Sequence, residues 1–226
     1  MDERFSRTAL LVGEPAIEKL NKSHVAVFGI GGVGGYVVEA LVRSGISHIT
    51  IVDNDVVSIS NFNRQIIATT DTIGRLKVDV MKERILSINP SCDVKAIKMF
   101  VTDENINEID FSNFDYVVDA IDSVKGKIAI IAKAKELDKP VISSMGAGNK
   151  MNPMGFIVSD INKTEVDPLA KAVRVKLRKL GIKNVKVVYS KELPIETNAD
   201  VPGSNAFVPS AAGLLIASEV IKDLTR

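Results

Sequence analysis

The amino-acid sequence predicts an α/β fold: a doubly wound, mainly parallel sheet, extended toward the C-terminus by further strands and a basic helix. Three observations predict it. Short apolar runs rich in β-branched residues alternate with longer segments of helical spacing through the first 145 residues. Such alternation gives right-handed βαβ units and a parallel sheet. The first of these strands runs straight into a glycine cluster that opens a helix, which is the layout of a nucleotide-binding turn. With 226 residues, 46% of them hydrophobic, the chain can bury a core as one domain without a metal or disulfide framework.

Taken in order, His24–Phe28 reads as the first strand, and Tyr36–Ser44 follows with helical spacing. His48–Val52 is the next strand, and Arg75–Ile88 is a helix that stops before Asn89-Pro90. Val94–Phe100, Tyr116–Ala120 and Val141–Ser144 are further strands, with the helix Lys125–Leu137 between the last two. Beyond them, Gly155–Ser159 and Val185–Tyr189 look like strands flanking a basic helix at 168–180. Residues 191–205, with Pro194, Pro202 and Gly203 and little apolar content, read as a long mobile loop. A last helix, 209–224, begins at Pro209, since proline is well tolerated at a first helical position. Residues 1–150 are therefore expected to form a nucleotide-binding core, and 151–226 an extension packed on the same domain.

Composition removes several function classes. Net charge is +1, from 29 basic and 28 acidic side chains, but the basic character is local. Between Lys163 and Lys191 nine Lys or Arg face two acids, Glu165 and Asp167. The lone Cys92 excludes an internal disulfide and a CxxC zinc site, and it fits a reducing compartment. It sits in Ile88-Asn89-Pro90-Ser91-Cys92-Asp93, at a helix-to-strand junction, and reads as an inert thiol. His24 and His48 are isolated from other ligand types and read as structural. The opening MDERFSRTAL has no long apolar core, and the apolar run Ala211–Val220 is too short for a bilayer. A cytoplasmic location without membrane attachment is expected.

The strand–turn–helix from His24 to Ser44 carries Gly29-Ile30-Gly31-Gly32-Val33-Gly34-Gly35. Gly29, Gly31 and Gly34 satisfy GxGxxG, and with Gly32 they allow a tight turn and close approach of a phosphate to the helix N-terminus. Asp53, at the end of the second strand, is placed to accept from ribose hydroxyls. NAD is the ordinary reading of such a fingerprint, but three features favour a triphosphate. Arg64 and Lys77 bracket the second crossover, Asn61 can donate to the same oxygens, and Asp122 in Asp119-Ala120-Ile121-Asp122 adds a second carboxylate at the sheet edge. An acid facing phosphates makes sense with Mg²⁺ between them.

Together GIGGVG, the strand-end Asp53, SNFNRQ, GRLK and DAID resemble the ubiquitin-activating-enzyme-like superfamily, in particular the adenylation domain of the molybdopterin and thiamine sulfur-carrier activating enzymes. The resemblance runs from about Arg4 to about Met145 with spacing preserved. It implies ribose binding by Asp53, phosphate contacts by Asn61, Arg64 and Lys77, and Mg²⁺ held by Asp122. Arg7 in RFSRTAL resembles the family's arginine that reaches the ATP phosphates of a neighbouring subunit, which implies a homodimer with composite sites. Paired CxxC motifs and a catalytic cysteine after the core are missing, so an acyl-adenylate would be used directly.

The distal segment, Ser144-Met145-Gly146-Ala147-Gly148-Asn149 followed by VSDINKTEVDPLAKAVRVKLRKLG, is similar to the tRNA threonylcarbamoyladenosine dehydratases. That likeness implies ATP-dependent adenylation of the threonylcarbamoyl carboxylate on a tRNA adenosine, followed by ring closure with loss of AMP. Lys183–Asn205 looks shortened relative to those enzymes. On the basic helix Lys171, Arg174 and Arg178 fall on one face at helical spacing, with Lys176 and Lys179 beside it, and are the expected contacts for tRNA phosphates. Three other readings stay open: a ubiquitin-like sulfur-carrier protein as the carboxylate substrate, an NAD-binding oxidoreductase, and a non-catalytic nucleotide-binding regulator. A bound monovalent cation and a sulfur-transfer partner also stay open.

Overall fold

A strand buried on both sides needs helices over both faces of its sheet, and the computed structural model, which describes residues 2–226, supplies them. The helices are α1 (Ser6–Val12), α2 (Glu14–Lys22), α3 (Gly34–Arg43), α4 (Lys77–Ile88), α5 (Val124–Glu136), α6 (Pro168–Lys179) and α7 (Val208–Thr225). The strands are β1 (His24–Phe28), β2 (His48–Asp53), β3 (Asp93–Lys98), β4 (Tyr116–Asp119), β5 (Val141–Ser144), β6 (Phe156–Asp160) and β7 (Lys186–Ser190). They form one seven-stranded sheet in the order β3-β2-β1-β4-β5-β7-β6. All neighbours are parallel except β6 and β7.

Alternation along β1 divides the core. Val25 and Val27 pack with Leu20, Val37, Leu41, Met81, Ile216 and Val220, so α2, α3, α4 and α7 cover one face. Ala26 and Phe28 pack with Ile130, Ala134, Val173 and Leu177, so α5 and α6 cover the other. In β7, Val188 faces the first cluster while Val187 and Tyr189 face the second. The distal strands therefore extend the same sheet and the same two cores, as the mixed α/β reading expects. Because the chain proceeds from β1 to β2 on one side and to β4 on the other, the strand order reverses at β1. Ligands of such sheets sit in the crevice at the carboxyl ends of these strands.

Boundaries differ from the sequence reading where the site begins. β3 stops at Lys98 rather than Phe100, because Met99, Phe100 and Val101 turn into the crevice. α4 starts at Lys77 rather than Arg75, because Leu76 is extended and bridges Val56. The N-terminal helices α1 and α2, for which the sequence offered no expectation, pack Phe5, Ala9, Ile17 and Leu20 into the first core.

Candidate nucleotide-binding site

The glycine turn leaves β1 with Gly29 at φ 89°, in the left-handed region that favours glycine. A side chain there would also meet the backbone of Ala120 at 2.8 Å. Gly31 and Gly32 border the crevice with Gly29. Gly34 does not. It lies beneath the turn, where a Cβ would fall 1.8 Å from the Gly29 carbonyl oxygen. Of the four glycines expected to touch the nucleotide, Gly34 instead lets α3 start hard against the loop.

Behind this turn a cleft of about 400 Å³ brings together Asp53, Asn61, Arg64, Lys77 and Asp122. Asp53 accepts from the Ile30 N–H at 2.6 Å and from the Asp55 N–H at 2.8 Å, which fixes its carboxylate beside the glycine turn. Asn61 ends a short 3-10 turn and its Oδ1 accepts from the Ser58 N–H at 3.1 Å. Its amide NH₂ is left to donate. One arm of Arg64 donates to the Ser60 carbonyl and to Asn63 Oδ1, both at 2.8 Å. Lys77, at the start of α4, is buried and donates to Asp55 Oδ2 at 2.7 Å. Asp122 is exposed, and its carboxylate has no hydrogen-bond partner among the described residues. Met99, Val101 and Ile121 add an apolar wall.

The floor under Asp122 is rigid. Lys127 and Asp119 are wholly buried and paired at 3.1 Å, Ser143 donates to Asp119 Oδ2 at 2.5 Å, and Lys127 also donates to the Ser144 carbonyl at 2.7 Å. A buried pair survives only when its remaining donors and acceptors are satisfied, and here they tie the ends of β4 and β5 together. Residues far along the chain complete the cleft: Ala147 and Gly148 form a second wall, and Pro202, Gly203 and Ser204 the roof. Residues 191–205 form neither helix nor strand, as expected, but they are fastened. Asn149 exchanges bonds with Gly203 at 2.8 and 2.5 Å, and Asn63 donates to both oxygens of Ser204.

Two cleft residues went unread in the sequence. Asp55 follows Asp53 too closely to be distinguished from a turn acid, and only the fold brings Lys77 to it. Gln65 is buried at 7% exposure, and its Oε1 is the one buried side-chain oxygen or nitrogen without a partner among the described residues. A ligand in the cleft can satisfy it. The SNFNRQ run contained the signal, since an amide beside Arg64 is another candidate phosphate or ribose contact.

Other expected residues lie elsewhere. Arg7 is exposed on α1 and does not border the cleft of its own chain. On α6, Lys171 is exposed and without a hydrogen-bond partner among the described residues, and exposed Arg178 donates to Asn162 Oδ1 at 3.2 Å. Arg174 departs from the expected basic face. Its guanidinium turns back to the Thr164 carbonyl at 2.9 Å and to the Thr164 hydroxyl, so it braces the segment before α6. Cys92 is buried, and burial pushes its thiol up to about 11, which removes thiolate character at neutral pH. His24 donates to or accepts from Thr50 Oγ1 at 2.9 Å and meets the Phe114 ring edge-on. It and His48 begin β1 and β2, at the end of the sheet opposite the cleft. Among the described residues no three His, Cys, Asp or Glu cluster as a metal site, and no helix is long and apolar enough to cross a membrane.

Known proteins are similar in sequence and in fold. The ThiF family profile matches residues 5–226. A tRNA threonylcarbamoyladenosine dehydratase of Bacillus subtilis is 46% identical over 244 aligned positions, covering all of this chain and 96% of the relative. The Escherichia coli tRNA N6-threonylcarbamoyladenosine dehydratase, solved in complex with AMP, superposes with a TM-score of 0.94 at 39% identity, over 98% of this chain and 94% of that one. Its complex with ATP superposes with a TM-score of 0.93 at 38% identity, over 98% and 93%.

Proposed function

The chain belongs to the ThiF family, and from that premise we propose that it is an ATP-dependent tRNA threonylcarbamoyladenosine dehydratase. The observation that carries this reading is one cleft holding Asp53, Asn61, Arg64, Lys77 and Asp122, in a chain whose single thiol is buried and does not line it. Relatives of nearly full-length match bear that activity in their names, one of them solved with ATP and one with AMP.

The chemistry follows from what the residues can do. A carboxylate is a poor electrophile, because its oxygen is a poor leaving group. When that oxygen attacks the α-phosphorus of ATP, pyrophosphate departs, and the acyl carbon now carries AMP. Arg64 and Lys77 face the charge that builds on the phosphates, and such preorganised charge is worth most where water is excluded. Asp53 accepts from the ribose, and the NH₂ of Asn61 donates to phosphate oxygen. Ring closure within the threonylcarbamoyl group then expels AMP. That step is intramolecular and needs positioning rather than a protein nucleophile, which is why no reactive cysteine is required.

The cleft's charge balance supports two further elements. Arg64 and Lys77 are set against three carboxylates, Asp53, Asp55 and Asp122, which leaves a polyanionic triphosphate under-neutralised by this chain alone. The unpartnered Asp122 fits Mg²⁺, which takes one or two carboxylates together with phosphate oxygens. When bound, the ion would withdraw charge from the departing pyrophosphate. Arg7, exposed on α1, is free to reach the cleft of a second copy, and a homodimer with composite sites supplies the missing cation. The tRNA docks through Lys171 and Arg178, with Lys176 and Lys179 beside them. ATP and tRNA as partners support a cytoplasmic reaction.

The test is direct. Threonylcarbamoyl-modified tRNA is incubated with this protein and Mg-ATP and then digested to nucleosides for mass spectrometry. Loss of one water from the modified adenosine, matched by AMP release, is the expected result. An unchanged nucleoside, with pyrophosphate released only when a ubiquitin-like carrier is supplied, would transfer the chemistry to a protein substrate.

A further inference from the structure

Asp167 bridges the nucleotide cleft and the basic helix. Its carboxylate is 3% exposed. Oδ1 accepts from the Ala170 N–H at 2.9 Å and caps α6, while Oδ2 accepts from the Gly146 N–H at 3.0 Å. Gly146 is followed by Ala147 and Gly148, which form the cleft wall. The fit is close: a Cβ on Gly146 would lie 3.1 and 3.3 Å from the two carboxylate oxygens.

The chain is bent to put Asp167 there. Val166 has φ 51°, and the Asp167 N–H folds back to the Glu165 carbonyl at 2.6 Å. A β-branched residue resists the left-handed region, and such strain persists only where the surroundings over-determine it. Here Thr164 on one side is gripped by Arg174, and Asp167 on the other is held by two N–H groups. An ordinary helix cap requires one of those bonds and no strain. The second bond is the one that reaches the cleft.

We propose that Asp167 is a positioning residue for the adenylation step, holding the Gly146–Gly148 wall in register with the first turn of α6. The proposal rests on the function proposed above, in which nucleotide sits in the cleft and RNA on α6. The carboxylate to be activated arrives with the RNA, and the α-phosphorus is fixed by the glycine turn and the wall. Their alignment depends on the relation between wall and helix, and a misplacement of about 1 Å can cost roughly 10²-fold in rate.

Asp167→Asn separates the two bonds. The amide oxygen can still cap Ala170, because asparagine is a good cap, but its NH₂ then faces the Gly146 N–H, donor against donor. Single-turnover AMP formation on modified tRNA should fall about 10–100-fold, while Mg-ATP affinity by calorimetry and tRNA affinity by filter binding stay within about 3-fold. Gly146→Ala presses on the same carboxylate without altering it and should lose rate in the same pattern. Combined, the two changes should cost little more than either alone, as coupled neighbours do. Since Gly146→Ala keeps the cap intact, it decides the matter alone if Asp167→Asn does not fold. A wild-type rate in the folded variants overturns the proposal, and so does a loss of ATP affinity that accounts for the whole loss of rate. Wild-type protein that binds no ATP or forms no AMP overturns the functional reading, and this proposal with it.

Discussion

Lys77 and Asp55 are held to each other twice: Nζ donates to Oδ2 at 2.7 Å, and the Lys77 N–H donates to the Asp55 carbonyl at 3.0 Å. The pair is lopsided, since the lysine side chain is 6% exposed and the aspartate 56%. The ammonium is therefore fixed at the cleft before any nucleotide arrives, while its partner can be solvated when phosphate oxygens take its place. A charge already in position reorganises little during reaction.

Lys77→Ala should lower turnover by about 10²–10³ with the fold intact, the usual loss for one preorganised charge. Circular dichroism and single-turnover AMP formation together check it. Lys77→Arg should not restore the rate, because a planar fork does not replace a compact ammonium in a buried slot. Wild-type turnover in Lys77→Ala would mean the triphosphate lies elsewhere.

Cys92→Ser should stay active. The thiol is buried between α4 and β3, with Sγ 3.9 Å from the Ile46 carbonyl, and serine is close to it in size. Its raised pKa, caused first by burial and then by the charge on Asp93, already denies it a nucleophilic role. A folded but inactive Cys92→Ser protein would revive a thioester route.

Much of this site could be read from the sequence, because its parts lie on consecutive strand–turn–helix units. The glycine turn, Asp53, Lys77 and Asp122 each sit at or just after a strand end or at a helix start, and strand order gathers such positions at one edge. Asn61 and Arg64 lie in the crossover between β2 and α4 that borders the same edge. What could not be read depends on pairings across the chain. The Lys77–Asp55 contact, the Asp167–Gly146 bond and the roof from Pro202–Ser204 join segments 21 to 141 residues apart, the widest being the Asn63–Ser204 bond. Arg174 failed for a related reason. Helical spacing put it among the basic residues of α6, but the Thr164 hydroxyl that draws it inward lies before the helix begins.

Arg174 and its neighbours should therefore separate. Arg174→Ala should lose a hydrogen bond from a charged group, about 1.5–3 kcal/mol, and Tm should fall by several degrees with tRNA binding by the folded protein little changed. The Lys171→Glu, Arg178→Glu double variant should keep its Tm and bind tRNA weakly, with the log–log salt slope reduced by roughly 0.7–0.9 for each lost contact. If the double variant binds tRNA with an unchanged slope, α6 is only a solvated face.

Arg7→Ala and Asp122→Ala should each be inactive alone and complement when mixed, because a heterodimer would contain one cleft with both residues intact. Activity assays after verified subunit exchange check this. No recovery would place Arg7 within its own chain's chemistry or outside it altogether.

The central claim is that this cleft activates a carboxylate carried on tRNA, and the nucleoside digest tests it most directly. Wild-type protein with Mg-ATP should convert threonylcarbamoyladenosine in tRNA to a product lighter by one water, with one AMP released per conversion, and the Lys77→Ala protein should do so far more slowly. AMP release with the nucleoside unchanged, or conversion that proceeds equally without ATP, would contradict the account.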